Sequence, residues 1–263
     1  MSLASLLKTA ESETSSSEEE IDDGEQGSVA PINEEWTLHR PVTARRAPIF
    51  NGEQECRNLT IDESMILCRG RSGFRQYLKG KRHKFGIKLY MLADPCGLAL
   101  RLHMYKGKRD DEVGGRGHTD KVVCKLFNKY FNTGRHLYMD NFYNSVELST
   151  FLLRKGTNVT GTLRANRKGN PAVVCTNKLR KGGSIFRYNS IVCVCKWRDK
   201  RDVLSISTKH SPELIPVTNK RGQMILKPEI VVEYNKFMSG VDRHDQMLSY
   251  YTCEHKTMRW YKK

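Results

Sequence analysis

The alternation of apolar and polar positions predicts a mixed α/β order along most of the chain. Phe85 to Ala93 places Ile87, Leu89, Met91 and Ala93 on one face and Lys88, Tyr90 and Leu92 on the other, and leads to Asp94. Pro95-Cys96-Gly97 turns the chain, and Leu98, Leu100, Leu102 and Met104 then alternate with Ala99, Arg101, His103 and Tyr105. Two strands joined by so short a turn predict an antiparallel hairpin with Asp94 at the end of its first strand. A glycine-rich connection over 107–117 precedes an apolar stripe of Val122, Val123, Leu126, Phe127 and Tyr130, which predicts a helix capped by Thr119. Residues 136–141 read as a short strand running into a second helix. That helix is expected to be capped by Asn144 with Glu147 three residues on, to carry Leu148, Phe151 and Leu152 inward, and to end at Gly156. The β-branched run over 157–163 is a further strand.

Residues 164–171 are basic and turn-forming, and 184–188, 191–197 and 203–208 are β-like with no helical stripe. They predict a β-rich insertion, after which 230–234 reads as a last short strand before a helix opening at Ser239. Ahead of the hairpin, the character shifts at 59–65, and 31–58 form an irregular tether holding Trp36 and Phe50. Residues 1–30 have few apolar side chains after Leu7 and are expected to be disordered. The domains so defined are 1–58 as tail and tether, 59–166 as the first part of an α/β core, 167–228 as the insertion, and 229–263 as the close of the core.

Charge sharpens this division. Residues 1–30 carry eight acids against Lys8, a net of −7, so the chain's +16 leaves +23 on the remainder. Within the tail, Ser15, Ser16 and Ser17 each precede a glutamate by three, a pattern similar to acidophilic-kinase sites, or an inert solubilising tail. A body this basic attracts polyanions, and nucleic acid is favoured over an anionic membrane because no lipid-facing helix accompanies the charge. Arg69, Arg71, Arg75, Lys79, Lys81, Arg82 and Lys84 are interleaved with Phe74 and Tyr77, which suits phosphate contacts beside stacking platforms. Arg164, Arg167 and Lys168 form a second basic group.

Eight cysteines are present, none in a C-x₂-C pair, which excludes a zinc knuckle. No signal peptide and no apolar run near eighteen residues is present, so no membrane role is expected. Reduced thiols in a cytosolic or nuclear setting fit. Cys193 and Cys195 would share one face of a strand as packing groups.

Four acids remain. Asp242 and Asp245 in Ser239-Gly240-Val241-Asp242-Arg243-His244-Asp245 would share one helical face. As an isolated pair they fit a capping-box-like Ser-x-x-Asp, since acids favour a helix N-terminus. With Asp94 and Asp140, each at the end of an apolar strand, they also meet the needs of two-metal phosphoryl transfer, which takes flanking carboxylates on rigid elements. Magnesium suits such all-oxygen ligands.

The strings Ile61-Asp62-Glu63-Ser64-Met65, Lys84-Phe85-Gly86-Ile87-Lys88, Met139-Asp140-Asn141-Phe142-Tyr143, Gly161-Thr162-Leu163-Arg164-Ala165-Asn166-Arg167-Lys168-Gly169, and Tyr234-Asn235-Lys236 through Gly240-Val241-Asp242-Arg243-His244-Asp245-Gln246-Met247 resemble the piggyBac transposases and their host-retained relatives. The resemblance covers about 59 to 263. It implies a ribonuclease H-like catalytic domain of the DDE/D class, a mixed sheet with flanking helices interrupted by a β-rich insertion. It also implies two magnesium ions, duplex DNA cut and joined through hairpin intermediates at TTAA sites, and a nuclear location. By this likeness Asp94, Asp140 and Asp242 match the metal-binding triad and Asp245 an additional acid. The family's helical DNA-binding and dimerisation region does not precede 59–65, and residues 46–56 look like a junction. The chain stops at Trp260-Tyr261-Lys262-Lys263, before the cysteine-rich zinc module of many members. The expectation is a chemically complete pocket without autonomous transposition, with a homodimer or a full-length paralogue as partner. The alternative is a non-catalytic domesticated relative that binds DNA through its basic surface.

Overall fold

The computed structural model describes residues 36–40, 56–68, 72–79, 84–107, 110–219 and 221–250. Its centre is β1 (Asn58–Leu67), a ten-residue strand whose Leu59 and Ile61 are fully buried. On one side β1 pairs antiparallel with β3 (Phe85–Ala93), and on the other it pairs parallel with β5 (His136–Met139). The outer edge of β3 is shared by β2 (Arg75–Tyr77) and β4 (Ala99–Met104), the latter closing the expected hairpin.

A parallel neighbour requires a crossover, and two helices supply it. Helix α1 (His118–Phe127) links β4 to β5, and α2 (Val146–Arg154) links β5 to β6 (Asn158–Thr162), which lies parallel to β5. Both cover one face of the sheet, where Leu59, Ile61, Leu92, Leu137, Met139 and Val159 pack against Val122, Leu126, Leu148 and Leu152. The opposite face carries α4 (Glu229–Phe237) and α5 (Gly240–Tyr250), with Val241 on Met91 and Ala93 and Phe237 against Tyr138. The result is a sheet between two helical layers.

The β-rich segment is continuous with this core. β7 (Ser184–Asn189), β8 (Val192–Arg198) and β9 (Asp202–Ser207) extend the sheet antiparallel to β6, giving the order β2-β3-β1-β5-β6-β9-β8-β7. A short helix α3 (Ala172–Thr176) and a separate ribbon of β10 (Leu214–Thr218) and β11 (Met224–Pro228) complete it. Cys193 and Cys195 are buried with Ile230 of α4, as packing groups. Trp36 packs on the core of this segment, and Thr37 bridges to Tyr188.

Four local expectations change. Residues 230–234 are helical: Pro228 precedes the first turn, Glu229 accepts from Ser211 N, and Ile230, Val231, Tyr234 and Phe237 follow a helical rather than a two-residue period. Ser145, not Asn144, caps α2, its oxygen accepting from Leu148 N at 3.1 Å. Asn144 is buried instead, its amide donating to the carbonyls of Met139 and Thr162, a tie between β5 and β6. Thr119 lies inside α1, whose cap is Gly117 in the left-handed region at φ 73°, because His118 is held by Tyr90 and the Val113 carbonyl. Residues 172–176 are helical inside a segment read as all β.

Candidate functional site

The parallel strands set one row of side chains. Ile61, Met139 and Gly161 are register partners across β1, β5 and β6. The next residues are Asp62 in the middle of β1, Asp140 just past β5 and Thr162 at the end of β6, so these three stand level across adjacent strands, neighbours about 4.8 Å apart. Alternation turns them away from the Ile61–Met139 core and toward the α4–α5 layer.

Helix α5 is clamped along the same face of β1. At its start a Cβ on Gly240 would run into the Asp94 carbonyl and come within 2.7 Å of Thr60 Oγ1. Further along, Ser64 Oγ donates to Asp245 Oδ1 at 2.5 Å. Thr60, Asp62 and Ser64 alternate on one face, so contacts at the first and third bracket Asp62, and Asp242 falls between them on the helix. Arg243 donates to the Pro95 carbonyl at 2.8 Å, and His244 Nδ1 lies 3.0 Å from Gly97 O, fixing the helix to the β3–β4 turn.

Electrostatics give the same grouping. Burial, then the fields of Asp140, Asp62 and Asp242, push the Tyr234 hydroxyl up to about 12, against a hydrogen bond with Thr162. Three acids far apart in sequence therefore act on one phenol. Burial also raises the Asp140 carboxyl above the ordinary carboxylate range, with the Glu63 charge adding to it. Hydrogen bonds from Phe142 N, 2.8 Å from Asp140 Oδ1, and from Tyr143 N oppose that rise, as does Arg164.

Asp94 does not join this group. It follows Ala93, the partner of Thr60, at the far end of antiparallel β3, whereas Asp140 lies level with Asp62. The register separates the two by about three residues along the strands, about 10 Å, and by two strand spacings across them. Its carboxylate serves the hairpin turn: Oδ1 accepts from Leu98 N at 2.9 Å and Oδ2 lies 3.8 Å from Cys56 Sγ. Strands β1 and β5 run parallel and β3 runs against them, so the end of β3 is the wrong end for the row. Asp62, not Asp94, is the acid that the register sets level with Asp140.

The basic residues separate into two places. Arg164 donates from Nε to Asn141 Oδ1 at 3.2 Å, with its guanidinium 5.6 Å from the Phe142 ring centroid, and Arg167 donates to the Phe142 carbonyl. Both flank Asp140, and Lys168 is exposed on the same loop. Arg75, Lys79 and Lys84 are exposed around β2, where Arg75 lies over Phe85 and Phe85 meets Tyr77 at 4.8 Å. Arg69, Arg71, Lys81 and Arg82 lie outside the described residues.

The donor set of the row is all oxygen, the kind a hard divalent ion takes, but the carboxylates of Asp62, Asp140 and Asp242 do not all lie within 4.8 Å of one another. Among the described residues, a different trio has ligand atoms within 4.8 Å of one another: His103, Asp110 and Glu112. Its bonding argues against a metal. His103 meets Asp110 through Nε2 at 3.0 Å and Glu112 through Nδ1 at 3.5 Å, so the two acids face opposite ring nitrogens. Asp110 accepts from the backbone of Lys106, Glu112 and Val113, and Glu112 is paired with Lys125. This is a closed loop staple.

A mixed sheet with carboxylates at parallel strand ends and on a covering helix defines a nuclease- and transposase-like fold. A family model described as "Transposase IS4" matches residues 52–263, and the chain belongs to this piggyBac-type transposase family. The chain is 26% identical over 216 residues to human PiggyBac transposable element-derived protein 3, covering 77% of this chain and 36% of that protein. It is 25% identical over 227 residues to human PiggyBac transposable element-derived protein 2, covering 77% and 37%. The chain thus spans little more than a third of these relatives' length. Among solved structures it is similar to the piggyBac transposase of a synaptic complex with hairpin DNA. That match has a TM-score of 0.68 and 30% identity, covering 79% of this chain and 43% of that one.

Proposed function

We propose that this chain carries a DDE/D-type DNA strand-transfer site in which Asp62, Asp140 and Asp242 hold two magnesium ions. The observation that carries this reading is the register that sets Asp62 beside Asp140, with Asp242 on α5 between that helix's two contacts to β1. When bound, the metal ions supply charge neutralisation at a phosphodiester and an activated water or 3′-hydroxyl. Asp62 on β1 and Asp140, the residue after β5, each follow directly on the paired Ile61 and Met139, so backbone pairing one residue away sets their separation. Asp245 acts as a second-row acid on α5, tied to β1 through Ser64.

The substrate is double-stranded DNA. The +23 body supplies long-range attraction, and Arg164, Arg167 and Lys168 place cations next to Asp140 for the phosphate backbone. The exposed Arg75–Phe85–Tyr77 group on β2 and β3 is a second contact surface. TTAA sites, a nuclear setting and a homodimer or longer paralogue are carried over from the family and belong to this same reading.

The test is magnesium-dependent cleavage of a labelled duplex with a TTAA hairpin end. The wild type is expected to nick it and Asp140→Asn to lose at least about 10³ of that rate. Equal activity in the two proteins would leave only a basic DNA-associating chain.

A further inference from the structure

Lys88 is a buried cation that no step at the row uses. It lies on β3 with 10% of its side chain exposed, on the face that also carries Tyr90 and Leu92. Its Nζ is 3.7 Å from Glu63 Oε2 of β1 and 4.7 Å from the centroid of the Tyr90 ring, which is itself pinned through its hydroxyl to His118 at 2.6 Å. The same Nζ lies over the Phe142 ring, 5.0 Å from its centroid. An ammonium costs free energy to bury, and an apolar side chain in place of a buried ion pair is often as stable or more so. Stability alone therefore does not call for a charge at position 88.

Phe142 is where the acid and the basic loop meet. Asp140 follows β5, and the turn at 141–143 brings the Phe142 ring, half-buried, back against the core. The Phe142 N–H donates to Asp140 Oδ1 at 2.8 Å, and its carbonyl accepts from Arg167. Its ring also takes the Arg164 guanidinium, at 5.6 Å. Asp140, Arg164 and Arg167 thus all lean on one residue, which sits in a turn rather than on a strand. The ring is the part of that residue that the sheet grips, and Lys88 supplies the grip from β3. Cation–π attraction reaches about 6 Å and is strongest where the cation is desolvated, as Lys88 is.

We propose that Lys88 is a positioning residue for the strand-transfer site: its ammonium holds the Phe142 ring, and through the Phe142 backbone fixes the Asp140 carboxylate. Lys88 acts through Phe142 alone, and no proton moves and no bond changes at it. The proposal rests on the reading of Asp140 as an acid of the site.

Its test uses the full chain in single-turnover cleavage of the hairpin duplex in magnesium, with duplex affinity and melting temperature measured beside it. Lys88→Met combined with Glu63→Gln removes the ion pair without stranding a charge, and is expected to melt at or above the wild-type temperature. Its cleavage rate at saturating duplex should fall about 10- to 100-fold, with duplex affinity within about threefold of wild type. Glu63→Gln alone, which leaves Lys88 on the ring, should cleave as the wild type does. Phe142→Leu keeps the backbone N–H and carbonyl but removes the ring, and should lose a similar factor. Adding it to the pair variant should then cost nothing more, since both changes break one contact. A pair variant or a Phe142→Leu protein that cleaves at the wild-type rate, beside a dead Asp140→Asn, overturns the role of Lys88 and leaves the site reading intact. Losses that multiply in the combined variant overturn it too, because the two side chains then act separately. A wild type that does not cleave, or an Asp140→Asn protein as active as wild type, overturns the site reading and the role of Lys88 with it.

Discussion

Ser64 Oγ donates to Asp245 Oδ1 across 2.5 Å, joining residues 181 positions apart. The bond is also the second point at which α5 is fastened to β1, the first being the close approach of Gly240 to Thr60 and the Asp94 carbonyl. Asp242 lies on the helix between those two points. A helix with few buried side chains beyond Val241 is held in register by a hydroxyl and a glycine.

Ser64→Ala removes the donor and leaves Asp245 without that partner. The bond contributes about 1 to 2 kcal/mol, so a melting-temperature drop of about 2 to 8 °C is expected. Cleavage should fall while duplex affinity without divalent metal stays the same. Ser64→Thr, which keeps the hydroxyl on a β-branched strand residue, should restore most of the activity.

Gly240→Ala tests the other fastening. The added methyl meets the Asp94 backbone, and overpacking of this kind costs about 1 to 3 kcal/mol. Thermal unfolding should show a lower midpoint, and metal-dependent cleavage should fall as α5 is pushed off β1. Gly182, at positive φ with open space around it, is the control: its alanine variant should lower stability through backbone strain but leave the site's chemistry unchanged.

The metal-free site should be a stability liability. Burial, with Glu63, raises the Asp140 carboxyl above its unfolded value. A raised carboxyl contributes stability that is full below the unfolded pKa, about 4, and is lost as pH rises through the folded value. Asp140→Asn keeps an acceptor for Phe142 N but carries no charge. In chelator at neutral pH it should melt about 2 °C or more above the wild type, and the gap should close as pH falls below about 4. Measuring both proteins across pH 3 to 8 checks the sign.

Much of this architecture was legible in the pattern of residues. The hairpin around Asp94, the stripes of α1 and α2, and the three β-like runs of the insertion all lie where alternation or helical spacing placed them. The central strand was not. In Asn58–Leu67 the acids and serine at 62–64 interrupt the apolar alternation, so the segment reads as a change of character rather than as a strand. Without β1, the hairpin end looked like the natural place for the first acid. Sequence also does not show strand direction, and only the parallel pairing of β1 with β5 reveals which end of the sheet holds the row. The signals available were Thr60-Ile61 ahead of Asp62, typical of a buried strand, and the Ile61–Met65 string already singled out by resemblance. Sequence alone points to a strand at α4 because Ile230-Val231-Val232 is β-branched; its helix is decided by Pro228, Glu229 and the packing of Ile230.

The basic loop gives a prediction of a different kind. Arg164 is exposed, and its contacts within the fold are a surface hydrogen bond to Asn141 and the Phe142 ring, so on the proposed reading its loss costs DNA affinity more than stability. Arg164→Ala should lower duplex affinity and flatten the slope of log affinity against log salt by about 0.9. The melting temperature should hold. An unchanged slope would place the DNA elsewhere, with the β2 group as the next surface to probe.

The most direct test sets two conservative variants side by side, Asp62→Asn and Asp94→Asn, in magnesium-dependent cleavage of the hairpin duplex under single-turnover conditions. The row on β1, β5 and α5 predicts that Asp62→Asn loses at least about 10³ of the rate, while Asp94→Asn, altered only in a turn, stays within about tenfold of wild type. The reverse order, with Asp62→Asn active and Asp94→Asn dead, would contradict the assignment of the site.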